Sequence, residues 1–139
     1  EICWQLVRIG YRTPTGFLSG GMMAWRTSGR PIETMDQWSA PKLKSELDQG
    51  AELTVLDVRQ PAERHEGHIP GSRYITGAEL PARLGELPAD RRVAVICGSG
   101  YRSSVTASLF TRQGFPEVVN VLGGMTAWEN HGYETEPGA

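Results

Sequence analysis

Val93-Ala94-Val95-Ile96-Cys97-Gly98-Ser99-Gly100-Tyr101-Arg102-Ser103 is the stretch on which the reading of this chain turns. The run Val93 to Ile96, apolar and mostly β-branched, reads as a strand buried on both faces, and it stops at a cysteine. Gly98 and Gly100 free the backbone for a tight turn. Arg102 and Ser103 then open an apolar-periodic segment that reads as a helix. Such a strand–turn–helix seats the Cys97 sulfur within a ring of backbone N–H groups, at a helix N-terminus and beside a fixed positive charge. Each of these favours thiolate over thiol. A free cysteine titrates at about 8.5 and is mostly protonated near neutrality, so a nucleophilic one needs this help. A plain buried strand end has no use for Gly-Ser-Gly followed by Arg, whereas an anion cradle does.

Working outward, 139 residues suffice for one good core. Fourteen basic against sixteen acidic side chains leave the chain near neutral, with no electrostatic case for nucleic acid or an anionic membrane. No apolar run approaches a membrane span, and no secretory pattern opens the sequence. Two cysteines, Cys3 and Cys97, make no disulfide framework, and a reactive thiol suits a reducing cytosol. A soluble, cytoplasmic protein is expected. No cluster of His, Cys, Asp and Glu has ligand spacing, so neither metal nor other cofactor is expected.

The chain echoes itself. Gly20-Gly21-Met22-Met23-Ala24-Trp25 and Gly123-Gly124-Met125-Thr126-Ala127-Trp128 match at a constant offset, and each closes on a glycine, Gly29 and Gly132. With one residue of slippage, Arg8-Ile9-Gly10-Tyr11 parallels Arg112-Gln113-Gly114-Phe115. Repeats on this scale mark duplicated structural units. Residues 1–34 are expected to be the tail of a preceding unit plus a linker, and residues 35–139 the complete unit. Alternatively, the N-terminal segment packs as an extension of that unit. Cys3 aligns with Ala107 rather than Cys97 and reads as a helix-face residue. Trp25, Trp128, Met22 and Met125 read as core anchors.

Within the complete unit, Asp36 begins a stretch of turn-formers that leads into a helix around Lys42–Leu47, with Ser39 as N-cap and Pro41 in its first turn. Leu53–Val58 reads as a strand, Pro61–Arg64 as a helical turn, 65–71 as a loop and Ser72–Thr76 as a short strand. Ala78–Leu84 reads as a helix weakened by Pro81. Arg92–Ile96 is the strand that feeds Cys97. Ser103–Gly114 is a helix with Val105 and Leu109 on one stripe and Ala107 and Phe110 beside it. Glu117–Val121 and Met125–Asn130 read as a last strand and helix. The alternation predicts an α/β fold with a mainly parallel sheet covered by helices on both faces. Such sheets bind ligands at the carboxyl ends of their strands, where Cys97 stands.

Three blocks in order resemble the rhodanese-homology family of sulfurtransferases. They are Leu56-Asp57-Val58-Arg59 with Glu63 and Gly67-His68-Ile69-Pro70-Gly71-Ser72; the Cys97 loop; and Val121-Leu122-Gly123-Gly124-Met125 with Ala127-Trp128. The resemblance implies a rhodanese-like fold in which Cys97 accepts a sulfane sulfur, becomes a persulfide and passes the sulfur to a nucleophile. The donor implied is thiosulfate or a low-molecular-weight thiol persulfide, and the acceptor a thiol or cyanide. Gly98, Ser99, Gly100 and Tyr101 would turn their amides toward the sulfur, and Arg102 would counter the charge of an anionic donor. Ser103 either assists through its hydroxyl or simply caps the helix, and Tyr101 either walls the pocket or packs. Asp57 and Arg59 read as scaffold that ties the first loop by charge and hydrogen bonds. His68 reads as a residue with a positioning hydrogen bond, and His65 and His131 as surface residues. Residues 8–34 are also similar to the tails of fusions between metallo-β-lactamase-like persulfide dioxygenases and rhodanese units. That likeness implies a tandem or fused parent whose last module is this one, with a further domain upstream.

Other chemistries fit less well. Cysteine phosphatases resembling this fold place five residues between Cys and Arg, whereas Gly98 to Tyr101 is a tighter four-residue ring. A docking or regulatory module that does not turn over would have no need of the Cys97–Arg102 pair. A redox-sensing thiol calls for a resolving cysteine nearby.

Overall fold

The computed structural model describes residues 15–115 and 117–138. They divide between two compact units, one ending at Thr34 and the other starting at Met35. Among the described residues the first contains one helix, α1 (Gly21–Thr27). The second carries β1 (Asp36–Trp38), α2 (Ala40–Asp48), β2 (Leu53–Asp57), α3 (Pro61–Glu66), β3 (Arg73–Tyr74), α4 (Leu80–Arg83), β4 (Arg92–Ile96), α5 (Tyr101–Arg112), β5 (Val118–Val121) and α6 (Gly124–Asn130). The five strands form one parallel sheet in the order β1-β5-β4-β2-β3, with helices on both faces. The α/β architecture expected from the sequence is the one observed.

The strand period of two sorts the core. Along β4, Ala94 and Ile96 join Val55, Val119, Val121, Leu43, Met125 and Trp128 on one face of the sheet. Val93, Val95 and Cys97 point to the other, among Leu56, Val58, Leu80, Ala107 and Phe110. Cys97 therefore lies on the α5 side because it is two residues beyond Val95. Burial of a large apolar side chain such as Phe110 or Trp128 is worth about 1.5–3 kcal/mol, so the two clusters dominate the stability of the sheet.

Several expectations are corrected. Where the sequence from Asp36 suggests turn-formers, the structure has the strand β1. Its three residues carry little β signal, and the strand exists because Asp36–Trp38 pairs in register with Val119–Val121. The Trp38 carbonyl accepts the Leu122 amide at 2.8 Å, and Asn120 Nδ2 donates to Gln37 Oε1. Pro81 does not weaken a helix interior, because α4 starts at Leu80 and the proline falls in its first turn, where a missing N–H costs nothing. On α5 the buried positions are Ser103, Thr106, Ala107 and Phe110, while Val105 is 58% exposed. The helix starts at Tyr101 and rolls the smaller residues toward the sheet, where a closer approach to β4 and β5 is possible.

The two copies of the repeated motif share a backbone. Gly20 and Gly21 have φ of 74° and 61°, and Gly123 and Gly124 have 72° and 54°. Each pair opens a helix of seven residues. In each, the tryptophan indole N–H donates to the carbonyl six residues on, Trp25 to Pro31 and Trp128 to Glu134, both at 2.9 Å. Their surroundings differ. Trp128 and Met125 are core residues as expected, but Met22 is 60% exposed and Trp25 half-buried, its ring covered by the Arg30 guanidinium. Among the described residues up to Thr34 there is no strand against which α1 could bury a face. Cys3 and the parallel drawn at Arg8–Tyr11 lie outside the described residues.

A Cβ added at Gly124 would overlap the Cys97 carbonyl oxygen and stand 2.7 Å from the Gly98 carbonyl, whereas one at Gly21 meets nothing within 4 Å among the described residues. Gly124→Ala is expected to cost more than about 3 kcal/mol in denaturant unfolding, through overlap added to left-handed strain. Gly21→Ala carries only the strain, about 1–2 kcal/mol at most. Equal small losses would show that the Cys97 loop yields to accommodate a methyl group.

Candidate active site

β4 ends at Ile96, and the next residues fold into a cup around one sulfur. Gly100, at φ 92°, turns the chain into α5 and brings its own backbone against β5's end, where a Cβ would stand 3.1 Å from Val121 O and Gly123 N. The Gly100 amide donates to Cys97 Sγ at 3.2 Å, and the Ser103 hydroxyl donates to the same sulfur at 3.3 Å. The sulfur sits at the start of a twelve-residue helix, whose dipole favours negative charge there. From the other side, α6 fixes the cup: the Met125 amide donates to Cys97 O at 2.7 Å and the Thr126 amide to Gly98 O at 3.0 Å. Val58 N, beyond the end of β2, donates to Ile96 O at 3.0 Å.

Burial pushes the Cys97 thiol up, but the Ser103 hydroxyl and the amides of Ser103, Ser99 and Gly100 outweigh it, and the group titrates below its ordinary value. Cys97 exposes none of its surface. Ser103 is wholly buried and is the third residue of α5, so its hydroxyl serves the sulfur and does not cap the helix. Tyr101 does not pack: its side chain is 77% exposed at the rim. Ser99 is exposed as well.

Beside the cup, a buried charge cluster holds the segment that follows β2. Asp57 accepts from Arg59 N, Nε and Nη2 at 2.8–3.0 Å, and Arg59 Nη2 also donates to Gly67 O at 2.6 Å. Arg64 lies 3.6 Å from the same carboxylate and donates to Ser72 Oγ and O. Buried ions of this kind persist because each finds several partners. His68 joins the rim of this cluster, with Nδ1 3.3 Å from Arg64 O and Nε2 3.2 Å from Glu136 Oε1. His65 and His131 are exposed.

Two residues of the site carried no assigned role in the sequence. Glu63 accepts from both terminal nitrogens of Arg102, at 2.6 and 2.7 Å, and its Oε2 also accepts the Gln60 amide at the start of α3. The Arg102 pairing leads the influences that hold its carboxyl down to about 2, and Arg102 is raised in turn. Its partner is 39 positions away, so the only local signal was the capping pattern of α3. Gly124 is the second, and the doubled glycine of the repeat was its only signal. Among the described residues, no three His, Cys, Asp or Glu side chains gather as metal ligands, and no helix is long and apolar enough to cross a membrane.

The model of the rhodanese-like domain family matches residues 39–131. A putative sulfur carrier protein, YrkF of Bacillus subtilis, is 35% identical over 101 residues, which are 73% of this chain and 55% of that protein. The chain thus spans about half of that relative's length. A sulfurtransferase of Allochromatium vinosum is 33% identical over 98 residues, 70% of this chain and 92% of the relative. Among solved structures, a rhodanese-related protein of Thermoplasma volcanium superposes with a TM-score of 0.67 at 33% identity, over 73% of this chain and 97% of that one.

Ser103→Ala is expected to raise the titration midpoint of Cys97, followed by ultraviolet thiolate absorbance, by about one unit, since a hydrogen bond to an ionised group is worth about 1.5–3 kcal/mol. The sign follows from the charge: the hydroxyl stabilises thiolate, so its loss leaves more thiol at a given pH. An unchanged midpoint would show that the amides alone set it.

Proposed function

We propose, because the chain belongs to the family of rhodanese-like domains, that it is a sulfurtransferase carrying sulfane sulfur on Cys97. The observation that carries this reading is the convergence of the Gly100 amide and the Ser103 hydroxyl on one sulfur at a helix start. In the first step the Cys97 thiolate attacks the outer sulfur of the donor. With thiosulfate the S–S bond breaks toward sulfite, and with a thiol persulfide it breaks toward the thiolate. Either way Cys97 becomes a persulfide anion, and charge is conserved. The Gly100 amide and the Ser103 hydroxyl, already oriented on the Cys97 sulfur, stabilise its thiolate before the attack and again when it is released. In the second step a thiol or cyanide attacks that outer sulfur and releases the Cys97 thiolate. The partners proposed are thus small molecules, not nucleic acid or membrane.

We further propose that the Gly20–Thr27 copy belongs to a second unit of the same kind within a tandem or fused parent. The shared glycine conformations and the matching indole hydrogen bonds support this. A parent gene with no strand-and-loop pattern of this type upstream would sink that assignment.

Incubation with thiosulfate, and separately with glutathione persulfide, is expected to add one sulfur atom to the intact mass of the wild type and none to Cys97→Ser. Cyanide or a thiol should remove it. Folded, reduced protein that takes sulfur from neither donor would favour a docking module over an enzyme.

A further inference from the structure

Arg102 is already engaged in the resting site. Its two terminal nitrogens hold both oxygens of Glu63 in a fork-to-fork pair. The pair lies over the loop, for a Cβ added at Gly98 would stand 3.1 Å from Arg102 Nη2 and 3.4 Å from Glu63 Oε1. Both side chains remain partly exposed, at 43% and 36%, while Cys97 is wholly covered. The neighbouring arginines offer no substitute, because Arg59 and Arg64 are buried on Asp57, Gly67 and Ser72. The Glu63–Arg102 pair is neutral as a unit, so it offers an incoming anion no net charge, and the surplus positive charge of Arg59 and Arg64 over Asp57 is buried away from the surface. A donor carrying two negative charges must take Arg102 from a carboxylate that stays close by and repels it. A donor carrying one charge loses less from the same encounter.

We propose that Glu63 is a specificity-determining residue, which by occupying Arg102 sets the site against dianionic donors such as thiosulfate and in favour of singly charged ones such as organic thiosulfonates. The inference rests on the sulfur-transfer reading above. Both donor classes follow the same balanced step. Thiolate attacks the outer sulfur, the S–S bond breaks, and sulfite leaves from thiosulfate or a sulfinate from the thiosulfonate.

The test compares thiosulfate with methanethiosulfonate on wild type and Glu63→Gln, reading kcat/KM for sulfur delivery to cyanide and the intact mass of Cys97. Glutamine keeps an oxygen for the Gln60 amide, so α3 retains its start. The thiosulfate-to-methanethiosulfonate ratio of kcat/KM should rise about tenfold in Glu63→Gln, mostly through a lower KM for thiosulfate. A ratio unchanged or lowered, with both donors loading Cys97, overturns the role of Glu63 and leaves the sulfur-transfer reading standing. Absence of loading by either donor in either protein defeats that reading and this inference with it. Wild type provides a readout that needs no variant: at a pH alkaline enough to keep sulfite fully deprotonated, methanesulfinate, with one charge, should inhibit at lower concentration than dianionic sulfite, and the reverse order overturns the proposal.

Discussion

Two hydrogen bonds from the first turn of α6 to the carbonyls of Cys97 and Gly98 set the geometry on which the site depends. They need the helix backbone to approach the loop more closely than any side chain at position 124 allows. With the carbonyls held outward by Met125 and Thr126, the amides further along the loop are free to face the sulfur. The same carbonyls would otherwise point negative dipoles at a group that must carry negative charge. The glycine pair therefore serves the electrostatics of Cys97 without touching its sulfur.

Charge is organised in two tiers around that cup. Asp57, Arg59 and Arg64 form an inner tier that is almost wholly buried and fixes the chain from β2 to β3. Removing Asp57 would leave two buried guanidiniums without their shared counter-ion, which is far costlier than the net worth of the cluster. Glu63 and Arg102 form an outer tier, half in solvent, where a pair can be exchanged for a ligand at modest cost. Burial thus separates the arginines that hold the fold, Arg59 and Arg64, from Arg102, whose side chain reaches solvent.

The duplicated glycine motif shows how much of a local structure travels with its sequence. Both copies form the same left-handed pair, the same seven-residue helix and the same indole hydrogen bond. Among the described residues, one copy alone buries its methionine and tryptophan, because it lies against the sheet of its own unit. Backbone conformation followed from the residues, while burial followed from what else was present.

Much of this was legible in the sequence. The apolar run into Cys97, the glycines and the α5 segment specify strand, turn and helix by local rules of branching, conformational freedom and capping, so the parallel α/β class and the placement of Cys97 could be read directly. Ser39 and Pro41 marked the start of α2 for the same reason. What is settled by contacts distant in sequence was not legible. β1 exists through pairing with β5, Val105 is exposed because α5 turns its small residues inward, and Glu63 meets Arg102 only once α3 and α5 are brought together by the sheet. Local conformational preference determined the elements and the cradle. Tertiary structure decided which charges face the sulfur, because electrostatic partners are chosen by distance in space and no periodicity along the chain encodes it.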